Sequence, residues 1–241
     1  MSATSLLRID HLKKSFGRVE VLKEISLDIQ RGSLHALLGP NGSGKTTLLK
    51  CLMGSMHHDK GTIDLSGRQE VQSKAYKQMF VYMPQFPGFL PHLSAREIIQ
   101  LLVNLRKEKP IHAERLIEDL KIHEFWHRSF KELSGGMKQK INILQCFMFD
   151  FEIAFLDEPT ASLDPQIAAY LKNLLLELKA LGKTMVFTSH IMSEVEEIAD
   201  YMSLLSNGKM LLNVSPESFI KEQQTGNLEQ AMLKYWGQHG N

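Results

Sequence analysis

The stretch LHALLGPNGSGKTTLLKCLMG, residues 34–54, decides the fold. Its first six residues are almost unbroken apolar sequence, short enough for a strand buried on both faces. A glycine-rich turn follows, and KTTLLKCLM then has the apolar spacing of a helix that can end at Gly54. The turn, GPNGSGKT, fits G-x-x-x-x-G-K-[ST] in full at Gly39, Pro40, Asn41, Gly42, Ser43, Gly44, Lys45 and Thr46, with Thr47 next in the helix. Glycines allow successive backbone N–H groups to converge on phosphate oxygens, and the helix that follows points its positive end at the same group. Lys45 is placed to reach the β- and γ-phosphates, and the Thr46 hydroxyl to ligate Mg²⁺.

Outward from this stretch, strands and helices alternate, with hairpins towards both ends. LLRIDHLKKSF and VEVLKEISLDI flank Gly17 and Arg18 and read as an antiparallel pair. TIDLSG and MFVYMPQ read as further strands. From Phe86 to about Phe151 the character is helical, and Ser94 with Glu97 has capping-box spacing ahead of IIQLLVNL. IAFLDEP and TMVFTSH are buried-strand candidates on either side of PQIAAYLKNLLLELKALG, a helix that starts at a proline and stops at a glycine. Asn207-Gly208 marks a hairpin turn, and the tail after Pro216 reads as one or two helices. This alternation predicts an α/β fold with a mainly parallel sheet covered on both faces.

Bulk properties narrow the function class. With 43% hydrophobic and 23% charged residues and a formal net charge of +1, the chain lacks the basic excess that accompanies nucleic-acid binding, so no nucleic-acid partner is expected. The start, MSATSLLRID, lacks a secretory signal, and no apolar run approaches the roughly 20 residues that span a bilayer. The expected location is cytoplasmic, or at a membrane only through a partner. Cys51 and Cys146 sit in apolar helical surroundings without a CxxC neighbour and read as small buried thiols.

A second chemical site closes the strand IAFLDEPT. Asp157 and Glu158 fall at the carboxyl edge of the sheet, where open α/β sheets bind ligands. Asp157 suits a Mg²⁺ shell, and Glu158 can orient and deprotonate a water attacking the γ-phosphate, help worth roughly 10²- to 10⁴-fold. Gln85 closes MFVYMPQ and His190 closes TMVFTSH, so both can project from the same edge. Taken alone, either residue is no more than a satisfied polar group at a strand end.

From about Leu6 to about Leu212 the chain resembles the ATP-binding subunit of an ABC transporter. The motifs stand in that family's order: an aromatic, Phe16; Walker A, residues 39–46; the Q-loop glutamine Gln85; the signature Leu133, Ser134, Gly135, Gly136; Walker B with Asp157 and Glu158; the D-loop Ser162, Leu163, Asp164; and the switch His190. The resemblance implies a P-loop NTPase of the ABC-ATPase fold, with a RecA-like core, an antiparallel β subdomain and a helical signature subdomain. It implies one cassette over 1–241, with core and β subdomain in 1–86 and 152–215, helical subdomain in 87–151 and a helical tail in 216–241. It also implies ATP and Mg²⁺ as cofactors, Phe16 stacking on adenine, His190 at the γ-phosphate, Gln85 at Mg²⁺ or the attacking water, and Asp164 at the nucleotide.

In this family two nucleotide-binding subunits assemble head to tail, each ATP lying between the Walker A of one and the signature of the other. The residues suit that arrangement: Ser134 is a good N-cap, Gly135 and Gly136 permit close approach, and MKQKINILQCFMF offers a helix N-terminus to an anion. Three departures stand out. Met137 replaces the commoner glutamine and cannot donate a hydrogen bond, Lys138 and Lys140 stand where arginines are frequent, and Phe16 replaces a tyrosine.

An integral membrane permease is the implied partner. FPGFLPHL, after Gln85, is too apolar for a solvated loop, and Phe86, Phe89 and Leu90 are expected to help line a groove for a cytoplasmic helix of that permease. The approach to the signature, HRSFKELSGG, lacks the acidic-glycine element of exporters of the fused type. With the separate-subunit length, it resembles ATPases paired with ABC-2 permeases. MPQFPGFLPHLSARE, LSGGMKQKINI and TSHIMSEVEEIADYM further resemble copper-processing ATPase subunits tied to nitrous oxide reductase maturation. The alternative is a non-transport cassette ATPase acting on DNA or the ribosome. The span from Thr46 to Leu133 leaves no space for the long coiled coil of the first, and a single cassette with charge +1 is unlike the second.

Overall fold

The computed structural model describes residues 5–161 and 163–239. Among these, the opening stretch forms β3, Leu34–Leu38, and α1, Lys45–Leu52. The antiparallel pair is β1, Ser5–Phe16, with β2, Val19–Gln30, and β4, Lys60–Leu65, completes a three-stranded sheet in the order β2-β1-β4. α2, Lys74–Lys77, is one turn whose buried Tyr76 donates its hydroxyl to the Leu52 carbonyl at 2.6 Å.

The second sheet has six strands. β5, Phe80–Met83, β6, Ile153–Leu156, β7, Thr184–Thr188, β3 and β8, Tyr201–Ser206, run parallel in that spatial order, and β9, Lys209–Val214, returns antiparallel at the edge. Side chains alternate across it, so the core has two halves. Ala154 and Leu156 face the helices of one side, while Ile153 and Phe155 join Leu37, α1 and the three-stranded sheet on the other. The hairpin at Asn207 and Gly208, with φ of 48° and 75°, has the left-handed turn its sequence predicts. Its Gly208 carbonyl accepts from Lys23 N at 2.7 Å, which fastens β2 to the large sheet.

Two strands end sooner than the sequence reading has them. β5 stops at Met83, where its pairing with β6 ends opposite Leu156, so Gln85 lies beyond the strand. β7 stops at Thr188, and the chain then turns as Ile191 N donates to Ser189 Oγ at 3.0 Å, which leaves His190 in a loop.

The helical segment comprises α3, Ala95–Arg106, α4, Ala113–Asp119, and α5, Gly135–Phe147. Ser94 and Glu97 make the expected capping box at the start of α3. α5 covers the edge strand β5, whose outward carbonyls lack a neighbouring strand. Three amides one turn apart supply donors to it and to the two residues that follow: Gln145 Nε2 to Tyr82 O at 2.9 Å, Asn142 Nδ2 to Pro84 O at 2.7 Å and Gln139 Nε2 to Gln85 O at 3.0 Å. α6, Pro165–Ala180, begins at the predicted proline under an Asp164 cap, and Arg115 on α4 pairs with its Glu177. α7, Met192–Ile198, precedes β8. The tail is α8, Pro216–Gln223, and α9, Leu228–His239; buried Leu228, Ala231 and Met232 seat it on the core, and Leu228 N donates to Glu196 on α7 at 2.8 Å. Both cysteines are buried and free, as their apolar surroundings predict.

Candidate functional site

The carboxyl ends of β5, β6, β7 and β3 converge on one cleft of about 640 Å³. Its floor is the loop from β3 into α1, contributed by Gly39, Pro40, Asn41, Gly42, Gly44, Lys45, Thr46 and Thr47. Gly39 has φ of 150°, and a Cβ there would lie 2.1 Å from the Leu205 carbonyl oxygen, so the chain can pass only without a side chain. α1 starts at Gly44 with no side-chain cap, which leaves its first N–H groups for an anion. Lys45 Nζ donates to Gly39 O at 2.7 Å and Pro40 O at 3.1 Å, an ammonium folded across its own loop. Burial pushes the Lys45 pKa down, with Glu158 and Asp157 opposing. Ser43 is buried in the loop, and its Oγ has no hydrogen-bond partner. Uncapped helix amides and a lysine around one cavity fit a polyphosphate.

Over this floor stand the carboxylates that end β6. Asp157, 9% exposed, accepts from Thr46 Oγ1 through Oδ2 at 3.1 Å and from Thr188 Oγ1 through Oδ1 at 2.8 Å. The paired hydroxyl and carboxylate oxygens of Thr46 and Asp157 are the hard donors Mg²⁺ takes, so the residues present fit that ion. Glu158 is held on two sides: its Oε2 accepts from Gln85 Nε2 at 2.8 Å and lies 3.6 Å from His190 Nδ1. Its backbone is left-handed, φ 48°, an uncommon state for a residue other than glycine and one concentrated at functional sites. Four strands thus bring Lys45, Thr46, Gln85, Asp157, Glu158 and His190 together around one cavity.

Other predicted site residues lie elsewhere. Phe16 ends β1, 48% exposed with Lys14 Nζ 5.4 Å from its ring centre, and is not among the residues lining the cleft; Val21 of β2 is. Ser134 and Gly135 are exposed at the head of α5, where Ser134 Oγ accepts from Met137 N at 3.3 Å. Leu133 is buried behind them, and Met137 packs against the core. Lys138 Nζ lies 5.3 Å from the centre of the Phe130 ring. Asp164 caps α6, accepting from Gln166 N and Ile167 N at 3.1 and 3.0 Å, with Leu163 beside it, whereas Ser162 lies outside the described residues.

A second hollow, about 700 Å³, opens between β5 and the helical segment. Phe89 lines it with Pro87 and Gly88, edge-on to Phe130 at 5.5 Å. Phe86 and Leu90 are 69% and 54% exposed and stand outside that lining. Reading the sequence also passed over Val21, Thr188 and Gln139. Val21 carries no chemical signal, and Thr188 looks like any β-branched strand residue. The spacing of Gln139, Asn142 and Gln145 along one helix face was a legible clue to the amide ladder.

The sequence profile of the ABC transporter family matches residues 22–161. The chain is 36% identical over 221 residues to a Nod factor export ATP-binding protein I of Burkholderia lata, covering 88% of this chain and 72% of that protein. It is 34% identical over 230 residues to an uncharacterized ABC transporter ATP-binding protein of Nostoc sp., covering 91% and 68%. Among solved structures, an ATP-binding subunit of an ABC transporter superposes with a TM-score of 0.88 at 25% identity, covering 95% of this chain and 99% of that one. The ADP conformation of an ATP-binding cassette superposes at 0.78 with 26% identity, covering 97% and 99%. With the phosphate loop, the paired carboxylates and the order of motifs, these likenesses place the chain in the ABC transporter family, as an ATP-binding subunit that hydrolyses ATP to power transport.

Proposed function

We propose that the chain drives a membrane permease by closing head to tail on a second nucleotide-binding subunit, each ATP held between residues 39–46 of one and 133–136 of the other. The contact that carries this reading is Gln85 Nε2 on Glu158 Oε2 at 2.8 Å, beside the phosphate loop. It holds a carboxylate at the sheet edge where a water in line with the γ-phosphate would stand. Glu158 takes that water's proton, His190 and Lys45 bind the γ-phosphate, and Phe16 stacks on adenine. Thr46, Asp157 and Gln85 hold Mg²⁺, which when bound neutralises phosphate charge. The exposed head of α5 supports the outward half of the site: Cβ atoms built on Gly135 meet nothing within 4 Å, and on Gly136 only Asp164 Oδ2 at 3.9 Å. Asp164, at the end of the D-loop, reaches the nucleotide edge only in the closed pair.

Closure moves 87–151, as a helical subdomain, against a core of 1–86 and 152–215, with 216–241 as an accessory tail. The hollow at Phe89 receives a cytoplasmic helix of the permease, which sets the chain at the cytoplasmic face of a membrane. Among the described residues no helix is long and apolar enough to cross one, so attachment runs through that partner. The name of the Burkholderia relative supports an export system, and the ABC-2 type of permease rests on the approach to the signature and the separate-subunit length. The copper-processing reading rests on the pattern around Gln85, the signature and His190. Identifying the co-purifying membrane subunit separates the two.

Glu158→Gln is expected to bind ATP without turnover and to run as a dimer on gel filtration only with ATP. Normal hydrolysis by that variant would remove Glu158 as the base, and a monomer with saturating ATP would remove the closed pair.

A further inference from the structure

We infer that Thr188 is a positioning residue for ATP hydrolysis, its single hydroxyl fixing the Asp157 carboxylate and the Glu158 backbone at the end of β6. This rests on the reading of Glu158 as base. A hydroxyl has one hydrogen to donate and lone pairs to accept with. Thr188 uses both, donating to Asp157 Oδ1 at 2.8 Å and accepting from Glu158 N at 2.8 Å. It is fully buried.

The strand ladder explains why a side chain is needed there. β6 pairs with β7 as far as Leu156 opposite Phe187. One residue on, Asp157 N is taken by Met83 O of β5 at 2.9 Å. Glu158 N, facing β7, has passed the end of regular pairing, and the Thr188 hydroxyl takes the place of the missing strand carbonyl. That bond falls on the residue with φ of 48°, a conformation that costs about 1–3 kcal/mol and persists only where its surroundings hold it. The donated bond occupies Oδ1 of Asp157 and leaves Oδ2 toward Thr46. β-branching restricts Thr188 χ1, so the hydroxyl arrives pre-oriented. The neighbouring Ser189 hydroxyl is engaged elsewhere, accepting from Ile191 N at 3.0 Å.

The test compares Thr188→Val, which keeps the shape and removes the hydroxyl, with Thr188→Ser, which keeps the hydroxyl. In the full chain, Val is expected to lower kcat for ATP by about tenfold or more while KM stays within about twofold, and Ser to return kcat to within about threefold of the parent. Hydrogen exchange of the nucleotide-free protein, followed by mass spectrometry on the peptide carrying residue 158, should speed up in Val and not in Ser. Parental kcat in folded Thr188→Val, or a folded Thr188→Ser as slow as Val, overturns the inference. If Val fails to fold, Thr188→Ala carries the same comparison. Glu158→Gln measured alongside separates the levels. With that variant inactive, a silent Thr188→Val sinks this inference alone; with it fully active, the base reading falls first and takes the inference with it.

Discussion

Asn142→Leu is expected to destabilise the protein by about 2–3 kcal/mol, and the estimate follows from what Asn142 serves. The side chain is fully buried on α5. Its Nδ2 donates to Pro84 O at 2.7 Å and Gln139 Oε1 at 3.1 Å, and its Oδ1 accepts from Gln145 Nε2 at 3.2 Å. Leucine fills a similar volume but leaves two acceptors without this donor. Each costs about 1–3 kcal/mol if nothing replaces it, and the added apolar burial returns about 1 kcal/mol. Gln145 is half-buried, so in Gln145→Leu water can take over the bond to Tyr82 O and the cost should be about 1 kcal/mol or less. For a chain of this size the Asn142 effect corresponds to about 4–12 °C in Tm, readable by differential scanning calorimetry of the nucleotide-free protein. A folded Asn142→Leu within about 0.5 kcal/mol of the parent would refute the view that these amides complete the edge of β5, and a Gln145→Leu costlier than Asn142→Leu would refute the ranking by burial.

Lys45→Ala removes the ammonium that lies across the phosphate loop and should weaken binding of a fluorescent ATP analogue by about tenfold or more, with turnover abolished; unchanged binding would contradict the phosphate role. Phe89→Asp puts a charge into the hollow beside β5 and should uncouple ATP use from transport in the assembled transporter, whereas transport at the parental rate would exclude this hollow as the permease contact. The Arg115 guanidinium holds the Glu177 carboxyl below the usual 4.5. A depressed folded value means the pair's contribution is present above the unfolded pKa and fades as pH falls through the folded one. Glu177→Gln should therefore be less stable than the parent at pH 7 and converge with it in acid. The gap is small because both side chains are about half exposed, and thermal scans at several pH values would show it.

Much of the site was legible because its chemistry is crowded into short, locally interpretable stretches. The phosphate loop needs glycine where Gly39 runs into Leu205, and a lysine and threonine at the helix start, so spacing alone locates it. Asp157 and Glu158 are conspicuous because two carboxylates interrupt an apolar strand. Val21 shows the limit: an aromatic before the loop, Phe16, is visible in sequence, but nothing in the sequence marks Val21 as facing the cleft. Similarly, FPGFLPHL reads as an apolar lining, yet of Phe86, Phe89 and Leu90 it is Phe89 that lines the hollow, edge-on to Phe130.

The sequence by itself determined the elements and most of their ends, because apolar period, proline, glycine and capping residues act within a turn or two of chain. Ser94 with Glu97, Pro165 behind Asp164 and Asn207-Gly208 all behave as local rules require. Only the tertiary structure decided which ends meet. The order β5-β6-β7-β3 sets Gln85, Glu158, Thr188 and Lys45 side by side although they are far apart in the chain. Strand order is settled by which buried faces fit together across the whole core, and no local signal carries it. For the same reason the Thr188 hydroxyl looks like one more β-strand residue until Asp157 and Glu158 are laid beside it.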